Sequence, residues 1–227
     1  MERRRIRNAV LSGACSAAAA VGVLVPAQSV PAQPVPTQSV SAQPVQTAED
    51  YPRPALPLVT DQAFQDEALQ AHNQYRAKHN SPPLTLDPEL VAAAEQRATR
   101  LSTGHRLDLV HEGRVKGAGE NDWWGWDGPL ELGVEATPAR TAVDAWYKQG
   151  SDYKFDKPGY EQNPGTGLFT QVVWKATTRI GCARAAGEGT GETKDRLETY
   201  VVCLYKVPGN VGDPASYQQN VLPPVGD

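Results

Sequence analysis

The sequence predicts an α+β fold in which helices come first and an antiparallel β-hairpin comes last. Apolar residues recur at helical spacing through the first half of the folded region, and short β-rich runs fill the last third. Strands and helices do not alternate along the 227 residues, which argues against a parallel α/β fold. The length is sufficient for one domain with a sizeable core and flanking segments.

Three segments have an apolar stripe at helical spacing. The stripes are Phe64, Ala68, Ala71 and Tyr75; Val91, Ala94, Ala98 and Leu101; and Ala139, Val143 and Trp146. Asp87-Pro88 and Thr137-Pro138 precede the second and third stripes, and each combines an N-cap residue with a proline in the first helical turn. The prolines at 82–83 end the first helix, because proline cannot continue one.

The C-terminal hairpin is predicted from two β-rich runs, RIGCARA and RLETYVVCLY, that flank a polar, glycine-rich connection. One cysteine lies in each run, Cys182 in the first and Cys203 in the second. In a secreted chain these two cysteines are expected to form a disulfide, and two buried free thiols are the alternative.

The N-terminus predicts a secretory signal peptide over residues 1–27. MERRRIRN is basic, an apolar run follows, and Ala27 offers a small residue for cleavage. A membrane anchor is the alternative, but the run is short and rich in alanine. Residues 28–57 repeat Pro, Gln, Ser and Val and predict a disordered linker. The folded domain is then expected over 58–215, and 216–227 is expected to be a tail.

The charge balance argues against a nucleic-acid or anionic-membrane partner. The chain has 22 basic and 26 acidic residues, and cleavage after residue 27 removes four of the former and one of the latter. The mature chain then has a net charge of −7, which does not steer it to a polyanion. We therefore expect an extracellular, monomeric protein without a stable membrane anchor.

Five segments, in order, resemble the signatures of the CAP superfamily, which is also called the SCP or pathogenesis-related-1-like family. They are AHNQYRAKH, LVH with GEN, AVDAWYKQGSDYKF, FTQVVWKATTRIGCA and YVVCLYKVPGN, and together they span residues 61–211. The resemblance implies an α-β-α sandwich, an antiparallel sheet flanked by helices, with a cleft. It also implies a helical turn at TQVVW, where the β-branched residues alone favour a strand. His72, Asn73 and Arg76 belong to its first signature and are expected to be structural.

The resemblance also places a polar site in the cleft. The family commonly carries two histidines and two acidic residues there, and some members bind zinc. The matching positions are His111, Glu120, Gln149 and Leu168, so one acid and one histidine are replaced. Glutamine is a poor zinc ligand and leucine is none, which leaves His111 and Glu120 as a weak metal candidate. We expect no cofactor, zinc included.

Two function classes remain open at this stage. The first is a non-enzymatic binding protein with an apolar, sterol- or lipid-like ligand, or with a cell-surface ligand. Trp123, Trp124 and Trp126 would then form a rim of the cleft, and Leu168 would make the cleft more apolar. A secreted hydrolase of peptide or cell-wall material would use His111 and Glu120 as an acid–base pair. The structural alternative for Glu120 and Asn121 is hydrogen bonding at a turn, with His111 as their neutral partner.

Overall fold

The computed structural model describes residues 53–104 and 114–226. His111, the signal peptide and most of the predicted linker lie outside the described residues. The elements are α1 (Gln62–Lys78), β1 (Thr85–Leu86), α2 (Pro88–Thr103), β2 (Gly119–Pro129), α3 (Ala139–Lys148), α4 (Gly167–Val173), β3 (Arg179–Glu188), β4 (Arg196–Lys206) and α5 (Pro214–Asn220). No helix within the described ranges is long and apolar enough to cross a membrane.

The described strands form one sheet in the order β1-β3-β4-β2. β3 and β4 are the predicted antiparallel hairpin, β2 is antiparallel to β4, and the two residues of β1 run parallel to β3. Cys182 lies directly opposite Cys203 in the hairpin, their Cα atoms are 4.1 Å apart, and the two form a disulfide. Both the hairpin and the disulfide are therefore confirmed.

Helices cover both faces of the sheet, which confirms the α-β-α sandwich. Alternate residues of β4 enter two different cores. Val201, Cys203 and Tyr205 pack with buried residues of α1, α3 and α4, whereas Val202 and Leu204 pack with those of α2. Since successive side chains of a strand point to opposite faces, a strand buried on both sides is apolar throughout.

Local capping explains where α1 and α2 begin. The side chain of Asp61 accepts a hydrogen bond from the backbone N of Phe64 at 2.8 Å, and Asp87 accepts one from Glu89 N at 3.0 Å. α2 lies close to β3 because Gly181 has no side chain: a methyl group there would overlap the backbone at Leu90. The cap and proline predicted at 87–88 are therefore confirmed.

The predicted cap of α3 is wrong. Thr137 does not cap the helix, because its hydroxyl donates to Asp127 Oδ2 at 3.0 Å instead. The free N–H of Ala139 is satisfied by Glu67 Oε2 of α1 at 2.8 Å. The first turn of α3 is thus capped by a residue of a neighbouring helix. This residue is too distant in sequence to be recognised from a local motif.

The short helix α4 is formed by TQVV, as the family resemblance implied and against β-propensity. Phe169, Val172 and Val173 are buried in the core between α1 and α3. The free-energy differences between strand and helix propensities are small compared with the free energy gained by burying three large apolar side chains. Packing therefore determines the conformation here.

Segments on either side of the expected domain, 58–215, pack against it. Arg53, in the expected linker, forms a buried ion pair with Glu198 at 2.6 Å, and Leu56 is buried in the core that contains α2. At the other end, Asp213 caps α5, and Tyr217 of α5 is buried in the core. His79 Nδ1 donates to Leu222 O at 2.6 Å and so holds the segment after α5.

Arg76 links α1 to the loop that precedes β1 and to the segment between α4 and β3. Its guanidinium is fully buried and donates to five backbone carbonyls. They belong to Pro82, Val172, Trp174, Lys175 and Thr177, at 2.8 to 3.5 Å. Burial lowers the pKa of Arg76 to about 10, so the group remains charged at neutral pH.

His72, one turn before Arg76, links α1 to β4. Its Nδ1 donates to Ala68 O at 2.7 Å and its Nε2 accepts from the Tyr205 hydroxyl at 2.8 Å. Burial lowers the pKa of His72 to about 4, so the imidazole is neutral. The prediction that these motif residues are structural is confirmed.

Replacing Arg76 by lysine tests this network. Lysine keeps the charge but has three donors on one nitrogen, so several buried carbonyls lose their partner. We expect Arg76→Lys to lower the free energy of unfolding by at least about 3 kcal/mol, measured by urea unfolding followed by tryptophan fluorescence. Arg196→Lys, at an exposed position of β4, is the matched control. Equal stability of the two variants would contradict the role assigned to Arg76.

Candidate functional site

A half-open cleft of about 940 Å³ lies beside α4. It is bounded by the start of β2, the turn after α3, residues 159–167 and residues 208–214. Six glycines and five amide side chains contribute to its lining, whereas Leu168 and Val211 are among its few aliphatic residues. The described part of the cleft is therefore of mixed polarity, with amide groups and glycine backbone beside apolar surface.

Glu120 is held by an internal cation. Both carboxylate oxygens accept hydrogen bonds from the Arg97 guanidinium of α2, at 2.9 to 3.1 Å. Each of the two side chains is only 2% exposed, and Arg114 lies 3.9 Å from the same carboxylate. Glu120 occurs at the predicted cleft position, but its charge is already compensated within the fold.

Asp122 lies two residues further along β2, on the same face of the strand as Glu120. Burial, followed by the nearby Glu120 carboxylate, raises the pKa of Asp122 well above its usual range. The neutral form of Asp122 is thereby favoured beside the Arg97–Glu120 pair.

Gln149 and Leu168, the two replaced positions, contact each other. Gln149 Oε1 accepts a hydrogen bond from Leu168 N at 3.2 Å, and Asn121 Nδ2 donates to Leu168 O at 3.0 Å. The Leu168 side chain packs partly against the aromatic core. This corner of the cleft is consequently built from neutral hydrogen bonds and an aliphatic contact.

The described residues do not fit a zinc ion. Gln149 and Leu168 supply no thiolate, imidazole or carboxylate, and Glu120 is saturated by Arg97. His111 lies outside the described residues, and within the described ranges no group of three His, Cys, Asp or Glu residues could hold a metal. No chemical step is therefore derived through a metal.

The structure places none of the three tryptophans in the lining of the cleft. Trp123 lies over Gly125 against the core of α1 and α3, while Trp124 faces the core of α2 and lies 5.3 Å from Trp126. Strand alternation separates them, because residues 123 and 124 point to opposite faces of β2. The cleft lining among the described residues therefore does not include the tryptophans expected at its rim.

Sequence analysis missed Arg97, Tyr160 and Asn210. Arg97 stands on the buried face of α2 with Ala94 and Leu101, and a charged residue within an apolar stripe was the available signal. Tyr160 and Asn210 lie on loops that line the cleft, where no sequence period marks them.

Residues 69–205 match the CAP family, described as the cysteine-rich secretory protein family. The chain belongs to this family. The chain is 36% identical to the human Golgi-associated plant pathogenesis-related protein 1 over 163 residues, which cover 71% of the chain and 94% of that protein. It is also 35% identical to the secreted protein RBT4 of Candida albicans over 180 residues, 73% of the chain but only 42% of RBT4.

A solved structure shares the CAP fold. The crystal structure of NaASP2 with Zn²⁺ superposes with a TM-score of 0.51 at 21% identity, over 74% of this chain and 90% of that one. At this identity the likeness shows the fold alone. The zinc named there belongs to NaASP2.

A double-mutant cycle tests the Arg97–Glu120 pair. Arg97→Met leaves a buried carboxylate without its cation, and we expect a loss of about 3–5 kcal/mol in the free energy of unfolding. Adding Glu120→Gln removes that charge, so the double variant should recover most of the loss. Urea unfolding measures all three, and Arg179→Met at an exposed position of β3 is the control. A double variant no more stable than Arg97→Met would contradict the pairing.

Proposed function

We propose that this CAP-domain protein is secreted and acts as a non-catalytic binding module whose cleft takes a polar, cell-surface ligand. The observation that carries the proposal is the Arg97–Glu120 pair. It engages both oxygens of Glu120, the acid at the matched cleft position, and a half-open cavity of mixed polarity lies beside it.

Catalysis has little support among the described residues. A general base must be within reach of a proton and able to accept it, but Glu120 is shielded and both of its oxygens are engaged by a guanidinium. Cys182 and Cys203, the cysteines within the described residues, are joined in a disulfide and supply no nucleophile. These contacts favour binding over the hydrolase alternative with His111 and Glu120.

The lining favours a polar ligand over a sterol or lipid. Pockets for apolar ligands are lined mainly by hydrophobic and aromatic side chains. Here five amide side chains, six glycines and the charged residues Arg114, Glu161 and Asp213 share the lining with a few apolar side chains, and Leu168 packs partly against the core. The apolar ligand expected from the sequence is thus less well matched than the cell-surface ligand.

Secretion is supported by three independent observations. The N-terminus has the composition of a signal peptide, and the buried disulfide is typical of an oxidising compartment. The similar protein of Candida albicans is named as secreted, although the human relative is named as Golgi-associated. We accordingly propose an extracellular location.

The proposal is tested on the mature chain purified from the medium of its own cells. Native mass spectrometry should show a co-purifying polar molecule or a bare chain, and incubation with casein peptides or cell-wall polysaccharide should give no cleavage products. Turnover that is lost in Glu120→Gln but retained in Glu192→Gln, an exposed and distant acid, would establish the hydrolase instead.

A further inference from the structure

Two loops that line the cleft expose apolar side chains to solvent. The first, the Tyr160 loop, comprises residues 156–166, and the second, the Asn210 loop, comprises residues 207–213. Tyr160 is 58% exposed and Val211 is 50% exposed. A large aromatic side chain that is left exposed beside a cavity is typical of a binding surface.

The Tyr160 loop is held rigidly by a buried asparagine. Asn163 is 1% exposed, and its Oδ1 accepts from Lys154 N at 2.6 Å. Its Nδ2 donates to Lys157 O at 2.8 Å and to Gly159 O at 2.9 Å. The exposed ring is therefore presented on a fixed backbone, which reduces the entropy lost when a ligand binds.

The Asn210 loop is fixed to α4 in a similar way. Asn210 Nδ2 donates to Gly167 O at 2.8 Å, and its Oδ1 accepts from the Thr170 hydroxyl. Gly209 N donates to Gln171 Oε1 at 2.8 Å. Both loops beside the cleft are thus preorganised by side-chain hydrogen bonds.

Gly167 forms a floor between the two loops. A methyl group at Gly167 would lie 3.9 Å from the Tyr160 ring and 3.8 Å from Asn210 Nδ2, so the ring and the amide flank this glycine. The absence of a side chain at Gly167 leaves space for a flat ligand to approach the ring. Gln149 and Gln162 add amide groups to the same cavity.

We propose that this outer arm of the cleft is a glycan subsite, at which Tyr160 stacks on a pyranose ring of an uncharged β-linked polysaccharide and the surrounding amides bind its hydroxyls. The inference rests on the proposed function and names its ligand class. A β-linked pyranose presents a flat C–H face with hydroxyls around its edge, and the subsite offers an aromatic face with amides around it.

The charge of the subsite selects against acidic polysaccharides. Glu161 and Asp213 both line the cavity, Arg114 is the one cation in its described lining, and Glu120 is paired with Arg97. The two acids therefore outweigh the one cation. A polyuronate would approach two carboxylates and a chain of net negative charge. An uncharged glycan has no such penalty.

An extended peptide is less well matched than a glycan. Peptides that bind in extended form usually pair their backbone with the edge of a sheet. In the described lining only residues 119–121 belong to a strand, and the rest come from loops, turns and the ends of short helices. The lining is therefore better suited to hydroxyl recognition than to β-augmentation.

The test is isothermal titration of the mature chain, residues 28–227, with cellohexaose, chitohexaose and a hexamer of galacturonate. We expect at least one uncharged hexamer to bind and the galacturonate hexamer not to bind. Tyr160→Ala should weaken that binding about tenfold, while Tyr160→Phe, which keeps the ring, should retain it. Leu132→Ala, at a residue that is 72% exposed and outside the cleft lining, is the control.

Three outcomes would overturn the subsite. They are absence of binding to both uncharged hexamers, equal binding by Tyr160→Ala and the wild type, and binding of an arginine-rich peptide that requires Tyr160 while the hexamers do not bind. In the last case the cleft would still be a binding site, so the proposed function would stand with another ligand class. Cleavage of a bound hexamer would instead contradict the non-catalytic function and leave the stacking role intact.

Discussion

The fold depends above all on the buried guanidinium of Arg76. Five carbonyls from the loop before β1 and from the segment 172–177 converge on it. A buried cation is stable only if its donors are all used, so the group fixes these segments relative to α1. Among them is the end of α4, whose other end supplies Leu168 and Gly167 to the cleft. The position of the cleft is in this way set from within the core.

A second guanidinium, that of Arg97, determines what the cleft can do. It joins α2 to the first residues of β2 and forms an ion pair with Glu120, while burial raises the pKa of Asp122 beside it. A charged pair this deeply buried contributes little net stability compared with apolar packing, but breaking it is costly. Because Arg97 engages both oxygens of Glu120, the arrangement favours a structural role for this carboxylate over that of a base or a metal ligand. Binding groups remain on the outer loops, where the backbone is fixed but the surface is open.

Features that depend on neighbouring residues could be predicted from the sequence, whereas features that depend on contacts between distant residues could not. Asp87-Pro88 started α2 as expected because cap and helix are adjacent, and the hairpin followed from two neighbouring β-rich runs. Asp213-Pro214 is the same kind of signal, yet the boundary predicted at residue 215 overlooked α5. The cap of α3 comes from Glu67, 72 residues away, and Arg97 meets Glu120 across 23 residues. The apolar stripe around Arg97 marks a buried charge, but no local pattern reveals its partner or that of Ala139. The alternation of β2 places Trp123 and Trp124 on opposite faces, which their clustering in the sequence does not reveal.

Glu120 binds the Arg97 guanidinium, and we therefore expect it not to coordinate a metal ion. The most direct test is isothermal titration calorimetry of the mature chain with zinc chloride at neutral pH. The Glu120→Gln variant is titrated in the same way for comparison. The account predicts no stoichiometric binding at micromolar zinc, and no difference between the two proteins. A stoichiometric zinc site that is lost in Glu120→Gln would show that the carboxylate is free to coordinate a metal and would contradict the account.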